Sequence, residues 1–133
     1  MNLEKSVLAC GTFDLFHQGH QFFLRQAATL AKNLIVIIAR DENVFKQKGF
    51  YPLLNEQERK KKVKQFNLTS KVFLGDKKDK LKLIKKINPN ILAIGFDQKI
   101  PLLEIKKKFP NLKIVKITSH FPEKFKSSIL RKK

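Results

Sequence analysis

Leu34-Ile-Val-Ile-Ile-Ala39 is an unbroken apolar run dominated by β-branched residues. A strand with one wet face alternates apolar and polar positions. A run without polar positions suits a strand covered on both faces, as in a parallel sheet. The flanking chain repeats the theme. Upstream, Ser6 to Cys10 reads as a first strand, and Gln18 to Ala31 as a helix with Phe22, Phe23, Ala27, Leu30 and Ala31 near one face. Downstream, a polar loop is expected from Asp41 to Leu54. Asn55 and Glu58 then form a capping-box pair opening a helix that runs to about Phe66. Lys71 to Leu74 reads as a third strand, and Leu81, Ile84 and Ile87 space a third helix. Asn88-Pro-Asn90 stops that helix before a fourth strand, Ile91 to Ile94. Pro110 stops a fourth helix, Ile100 to Phe109, before a fifth strand, Leu112 to Ile117. A last short helix is expected at Ser127 to Lys132.

Strands alternating with helices imply an α/β fold: one Rossmann-like domain over residues 1–133, with a five-stranded parallel sheet and helices on both faces. Ligands of such sheets bind beyond the carboxyl ends of the strands, near the switch point. The loops to inspect are therefore Gly11 to His20, Asp41 to Leu54, Gly95 to Lys99 and Thr118 to Ser128.

Composition narrows the function classes. The chain has 133 residues and one cysteine, so no intrachain disulfide forms, and Cys10 inside an apolar run reads as core. Its longest apolar run is too short to span a bilayer. Glu4 and Lys5 near the start, with no long apolar stretch, argue against an export signal. The expected location is the cytoplasm, with no membrane partner. The net charge of +18, from 29 basic against 11 acidic residues, attracts phosphates. The excess is almost all Lys, with Arg25 and Arg40 the only arginines before Arg59. Readers of bases and phosphates favour Arg, and no nucleic-acid motif is present, so nucleic acid is not the expected partner.

The strongest chemical signal is the first loop, Gly11-Thr-Phe-Asp-Leu-Phe-His-Gln-Gly-His20. A strand runs into it and a helix leaves it. His17 and His20, three residues apart on a first helical turn, share a face. Gly19 lacks a Cβ, so a phosphate is expected to approach the backbone closely. The helix N-terminus adds N–H donors and a dipole that favours an anion. The pair could also ligate metal, but the one other histidine is His120, and no third ligand has suitable spacing.

These residues resemble the signature of the cytidylyltransferase-like nucleotidyltransferases. The resemblance implies transfer of a nucleotidyl group from an NTP with loss of diphosphate. His17 and His20 would donate to the α-phosphate as charge builds there, with Lys46 as the third catalytic group. It implies nucleotide contacts from Gly11, Thr12, Phe13, Asp14, Gln18, Gly19, Asp97, Ser127 and Ser128. Lys48, Arg59 and Arg131 join them as further candidates. Asp14 would orient the acceptor or a hydrated cation. Mg2+ or another divalent cation is expected with ATP, without a dedicated protein metal site. The family's frequent dimers imply a homodimer.

Within that family the chain is most similar to archaeal-type FAD synthases. The similarity rests on Leu34 to Glu42, Gln57-Glu-Arg59, Leu74-Gly75, Gly95-Phe-Asp-Gln98 and Lys126-Ser-Ser128. It implies ATP and FMN as substrates and FAD as product. Phe96 departs from the proline usual in that group, and Phe16, Phe22, Phe121 and Phe125 are the ring-stacking candidates. The rival acceptors are glycerol 3-phosphate, with CTP, and heptose phosphate, with ATP. The chain lacks tryptophan and the arginine that glycerol-3-phosphate cytidylyltransferases carry before their serine-threonine segment. A non-catalytic nucleotide or RNA binder is the alternative from another class, supported only by the charge.

Overall fold

The computed structural model describes residues 5–66, 68–79, 81–95, 98 and 100–117. Five strands pair in parallel: β1 (Ser6–Gly11), β2 (Asn33–Ile38), β3 (Lys71–Leu74), β4 (Ile91–Gly95) and β5 (Lys113–Ile117). Their order across the sheet is β3-β2-β1-β4-β5. The chain runs outward from β1 to β3, then crosses back to β4 on the other side of β1. The gap between β1 and β4 is therefore the switch point, where the flanking loops part and leave a crevice.

The helices are α1 (Gln18–Ala28), α2 (Asp41–Lys48), α3 (Glu56–Gln65), α4 (Lys82–Ile87) and α5 (Leu102–Lys108). The two faces of β1 carry different cores. Val7 and Ala9 point into one that holds Leu24 and Ala27 of α1, Val63 of α3, Val36, Ile38, Phe13 and Phe16. Leu8 points into the other, with Ile84 of α4, Ile105 of α5, Ile37, Leu92 and Ile94. The period-two alternation of a strand thus feeds two layers of helices. The apolar β2 run is unbroken because both of its faces are covered. Among the described residues no helix is long and apolar enough to cross a membrane.

Two details differ from the sequence expectations. Helix α1 ends at Ala28, short of Ala31, with Leu30 and Ala31 packing on the core from the connection to β2. Asp41 to Lys48 is a helix, not loop. Only Val44 of α2 is buried, so apolar periodicity gives no sign of it. Its ends do: Asp41 and Glu42 occupy the first turn, Lys46 and Lys48 the last, and Gly49 closes it at φ 82° in the left-handed conformation. The capping box of α3 forms as expected. Asn55 accepts the Glu58 N–H at 2.8 Å, and Glu58 accepts the Asn55 N–H at 3.2 Å. The expected helix at Ser127 to Lys132 lies outside the described residues.

Candidate active site

The first loop leaves β1 at Gly11 and folds into a 3-10 turn, Asp14–Phe16, before α1 begins. Phe13, Leu15 and Phe16 have φ of 52°, 64° and 45°. Side chains with a Cβ resist that conformation by roughly 1–2 kcal/mol each. Three anchors hold it. The Phe13 and Phe16 rings are buried in the core on the α1 side. Both Asp14 oxygens are engaged from the loop ahead of α3: Oδ2 accepts the Leu53 N–H at 2.9 Å and Oδ1 the Leu54 N–H at 3.1 Å. The Thr12 carbonyl accepts from Arg59 Nη1 at 2.9 Å. Gly11 is required by packing, because a Cβ there would meet the Phe13 ring at 2.9 Å.

Arg59 is fully buried in α3 and ties three segments together. Besides Thr12, its Nε donates to the Leu54 carbonyl at 3.0 Å and its Nη2 to Asp41 Oδ1 at 2.6 Å. Its neighbour network extends outward. Asp41 Oδ2 accepts the Glu56 N–H, and Glu56 Oε1 accepts the Asp41 N–H at 2.9 Å. Arg40 bonds Glu56 Oε2 at 2.9 Å and the Gly75 carbonyl at 2.7 Å. Burial works against the charge of Glu56, but the Asp41 N–H and the Arg40 guanidinium outweigh it and hold the carboxyl below its usual range. Arg59 is thus a strut behind the first loop.

His17 and His20 cap α1 reciprocally. The Gly19 N–H donates to His17 Nδ1 at 3.1 Å, and the His17 N–H donates to His20 Nδ1 at 3.2 Å. This is a capping box with two imidazoles in the places usually filled by Ser and Glu. With each Nδ1 accepting, the proton of each neutral ring sits on Nε2. The rings stack, centroids 3.6 Å apart and planes 20° from parallel. Phe13 meets the His20 ring edge-on at 5.5 Å, and Phe16 lies parallel to it at 6.4 Å. His20 is pushed down to about 3 by burial, then by His17, against the opposing pull of Asp14, and by Lys48. It is a neutral donor at neutral pH. The Gly19 N–H donates to His17 here, while Gly19 keeps the Cβ-free surface expected to admit a phosphate. Gln18 is exposed in the first turn of α1.

Lys46 and Lys48 both lie on the last turn of α2 and both are exposed. Two residues on a helix are about 200° apart, so their side chains leave in different directions. The Lys48 charge contributes, least of the named causes, to lowering His20. Across the switch point, Gln98 joins the strand ends: its Oε1 accepts the Gly95 N–H at 2.8 Å, and its Nε2 donates to the Cys10 carbonyl at 2.6 Å. Nothing in the Gly95-Phe-Asp-Gln98 segment by itself signals that Gln98 bridges two strands. Burial pushes the Cys10 thiol up to about 12, which suits packing and not nucleophilic chemistry. Asp97, Ser127, Ser128 and Arg131 lie outside the described residues.

The arrangement sets two stacked imidazoles, each accepting at Nδ1, after the carboxyl end of the central strand, in a loop braced from behind by a buried guanidinium. The chain is similar to several known proteins. The FAD synthase of Methanosarcina barkeri is 43% identical over 93 residues, covering 70% of this chain and 66% of that protein. The FAD synthase of Thermoplasma acidophilum is 34% identical over 131 residues, covering 96% of this chain and 92% of that protein. The crystal structure of a lipopolysaccharide core biosynthesis protein from Thermoplasma volcanium superposes with a TM-score of 0.80 at 29% identity, covering 87% of this chain and 98% of that one. The cytidylyltransferase-like family matches residues 8–133. With His17 and His20 in place on a five-stranded parallel sheet, the chain belongs to the cytidylyltransferase-like family.

Proposed function

We propose that the chain is an FMN adenylyltransferase, converting ATP and FMN to FAD and diphosphate. An oxygen of the FMN phosphate attacks the α-phosphorus of ATP in line. The bond from that phosphorus to the oxygen bridging the β-phosphate breaks, and diphosphate leaves with the electron pair. A phosphate monoester is largely ionised at neutral pH, so no general base is required. The work is positioning and charge stabilisation.

The observation that carries this reading is the reciprocal imidazole cap on α1. It fixes both Nε2–H groups before substrate arrives, so donors need not reorganise as negative charge grows on the α-phosphate. Lys48 supplies positive charge on the same side, and Lys46 remains a candidate for the outer phosphates. Asp97 is proposed for the ribose, and Ser127 and Ser128 for the outer phosphates, from the resemblance alone. Among the described residues no three His, Cys, Asp or Glu gather to hold a metal ion. Asp14, expected from the resemblance to orient the acceptor or a hydrated cation, is bonded to two backbone N–H groups. A divalent cation would enter as part of the ATP substrate. The similarity to two FAD synthases, one aligned over 96% of this chain, supports FMN as acceptor. The proposed location is the cytoplasm.

Diphosphate release from ATP or CTP against FMN, glycerol 3-phosphate and heptose 1-phosphate tests the reading. Turnover with ATP and FMN is expected to exceed every other pairing. A preference for CTP with glycerol 3-phosphate would move the chain to another branch of the family. RNA affinity that falls steeply with salt, with no diphosphate from any pair, would make it a binder.

A further inference from the structure

We infer that Phe45 and Tyr51 form the platform on which the flavin ring of the acceptor stacks. The inference rests on the FMN reading above. FMN is an amphipathic anion: a phosphate at one end, a flat heteroaromatic ring system at the other. The histidines serve the ATP α-phosphate that the FMN phosphate must reach, which places the phosphate end of FMN and leaves its ring unplaced. Phe16, a sequence candidate for the ring, is buried in the core, and Phe22 is half-buried in α1. Phe121 and Phe125 lie outside the described residues.

The exposed aromatics among the described residues are Phe45, Phe50 and Tyr51, at 44%, 45% and 59%. All three fall on α2 and the turn after it. Gly49, in the left-handed conformation, reverses the chain at the end of α2, and its N–H bonds the Phe45 carbonyl at 2.8 Å. The reversal folds Tyr51 back onto Phe45, with ring centroids 4.6 Å apart and planes 27° from parallel. A stacked pair left this open to water is not core packing. It offers the kind of flat π-surface that stacks on planar heterocycles.

Its position ties it to the phosphate site. Lys48 lies between the two aromatics in sequence. Leu53 and Leu54, just after Tyr51, are bonded to Asp14 of the first loop. The platform is therefore joined, through the short segment that follows Tyr51, to the loop carrying the histidines. An open aromatic surface tied to the loop that carries the imidazoles suits a ligand with a flat ring at one end and a phosphate at the other. A second copy of the chain fits less well, because lysines are depleted from protein interfaces and Lys46 and Lys48 flank this patch.

The test compares wild type with Tyr51→Ser, Phe45→Ser and Tyr51→Phe, by diphosphate release and by quenching of FMN fluorescence. Both serine variants are expected to raise KM for FMN about tenfold or more, from the loss of one aromatic stacking contact. They should reduce the quenching and leave KM for ATP within about twofold, a ratio worth well under the energy of one such contact. Tyr51→Phe should keep KM for FMN near wild type. Exposed positions should leave the melting temperature unchanged, which separates ring binding from folding. An unchanged KM for FMN in the serine variants overturns the platform while the FMN reading stands. A rise in KM for ATP instead assigns the patch to adenine and overturns it too. A change in sedimentation with no change in either KM makes it a contact between copies, again overturning it. If wild type makes no FAD at all, the FMN reading fails first and the platform falls with it.

Discussion

Removing the guanidinium of Arg59 should cost both stability and turnover, in that causal order. The side chain is fully buried and fills three acceptors: the Thr12 carbonyl at 2.9 Å, the Leu54 carbonyl at 3.0 Å and Asp41 Oδ1 at 2.6 Å. Arg59→Met keeps much of the volume and supplies no donor. Two carbonyls are then left unpaired, each at about 1–3 kcal/mol if it stays dry. Asp41, about a quarter exposed, recovers part of its loss from water. Breaking one side of a buried pair typically costs about 3–5 kcal/mol, and that is the expected loss here. A domain of this size is usually stable by roughly 5–15 kcal/mol, so the variant should still fold at room temperature. Its melting point should fall by about 10–20 °C. Arg59→Lys should recover only part, because an ammonium is a point donor and the three acceptors suit a fork. Urea denaturation and diphosphate release on the same samples decide the matter. Turnover should fall because Thr12 and the strained Phe13 to Phe16 segment lose their brace. Loss of turnover with less than about 1 kcal/mol of destabilisation would refute the reasoning, because Arg59 would then be acting on substrate and not as a strut.

Three further outcomes follow from the same geometry. His17→Asn keeps a side-chain acceptor for the α1 N-terminus but removes the Nε2 donor. It should lower kcat about a hundred- to a thousandfold with stability changed by less than about 1 kcal/mol, and normal diphosphate release would remove His17 from the reaction. His20, held near 3 in the folded chain and near its ordinary value when unfolded, binds its proton only in the unfolded state between those values. Stability is therefore full above about pH 6.5 and is lost as pH falls towards 3. The loss from pH 7.5 to 5 should be about 1–2 kcal/mol, and a His20→Gln variant with the same pH dependence in urea would contradict it. Gln98→Leu leaves the Gly95 N–H and the Cys10 carbonyl unpaired at the switch point. It should cost about 1–3 kcal/mol, and an unchanged urea midpoint would show that bridge to be unimportant.

The apolar run in β2, the turn chemistry at Asn88-Pro-Asn90 and Phe109-Pro-Asn-Leu112, and the Asn55–Glu58 box are local patterns. Each is decided by neighbours a few residues away, so each was legible in the sequence, and together they imposed the doubly wound sheet. The His17 to His20 spacing was legible for the same reason. What tertiary structure alone decided lies in contacts between distant segments. Arg59 and Thr12 are 47 residues apart, Asp14 and Leu54 are 40 apart, and Gln98 and Cys10 are 88 apart. A sequence shows the donors and acceptors there without showing which of them meet. Helix α2 escaped notice because a helix with one buried residue has almost no apolar rhythm, and only its charged ends and Gly49 betray it. That Lys46 and Lys48 leave in different directions needed that helix first, since an offset of two positions means opposite sides only once the backbone is coiled.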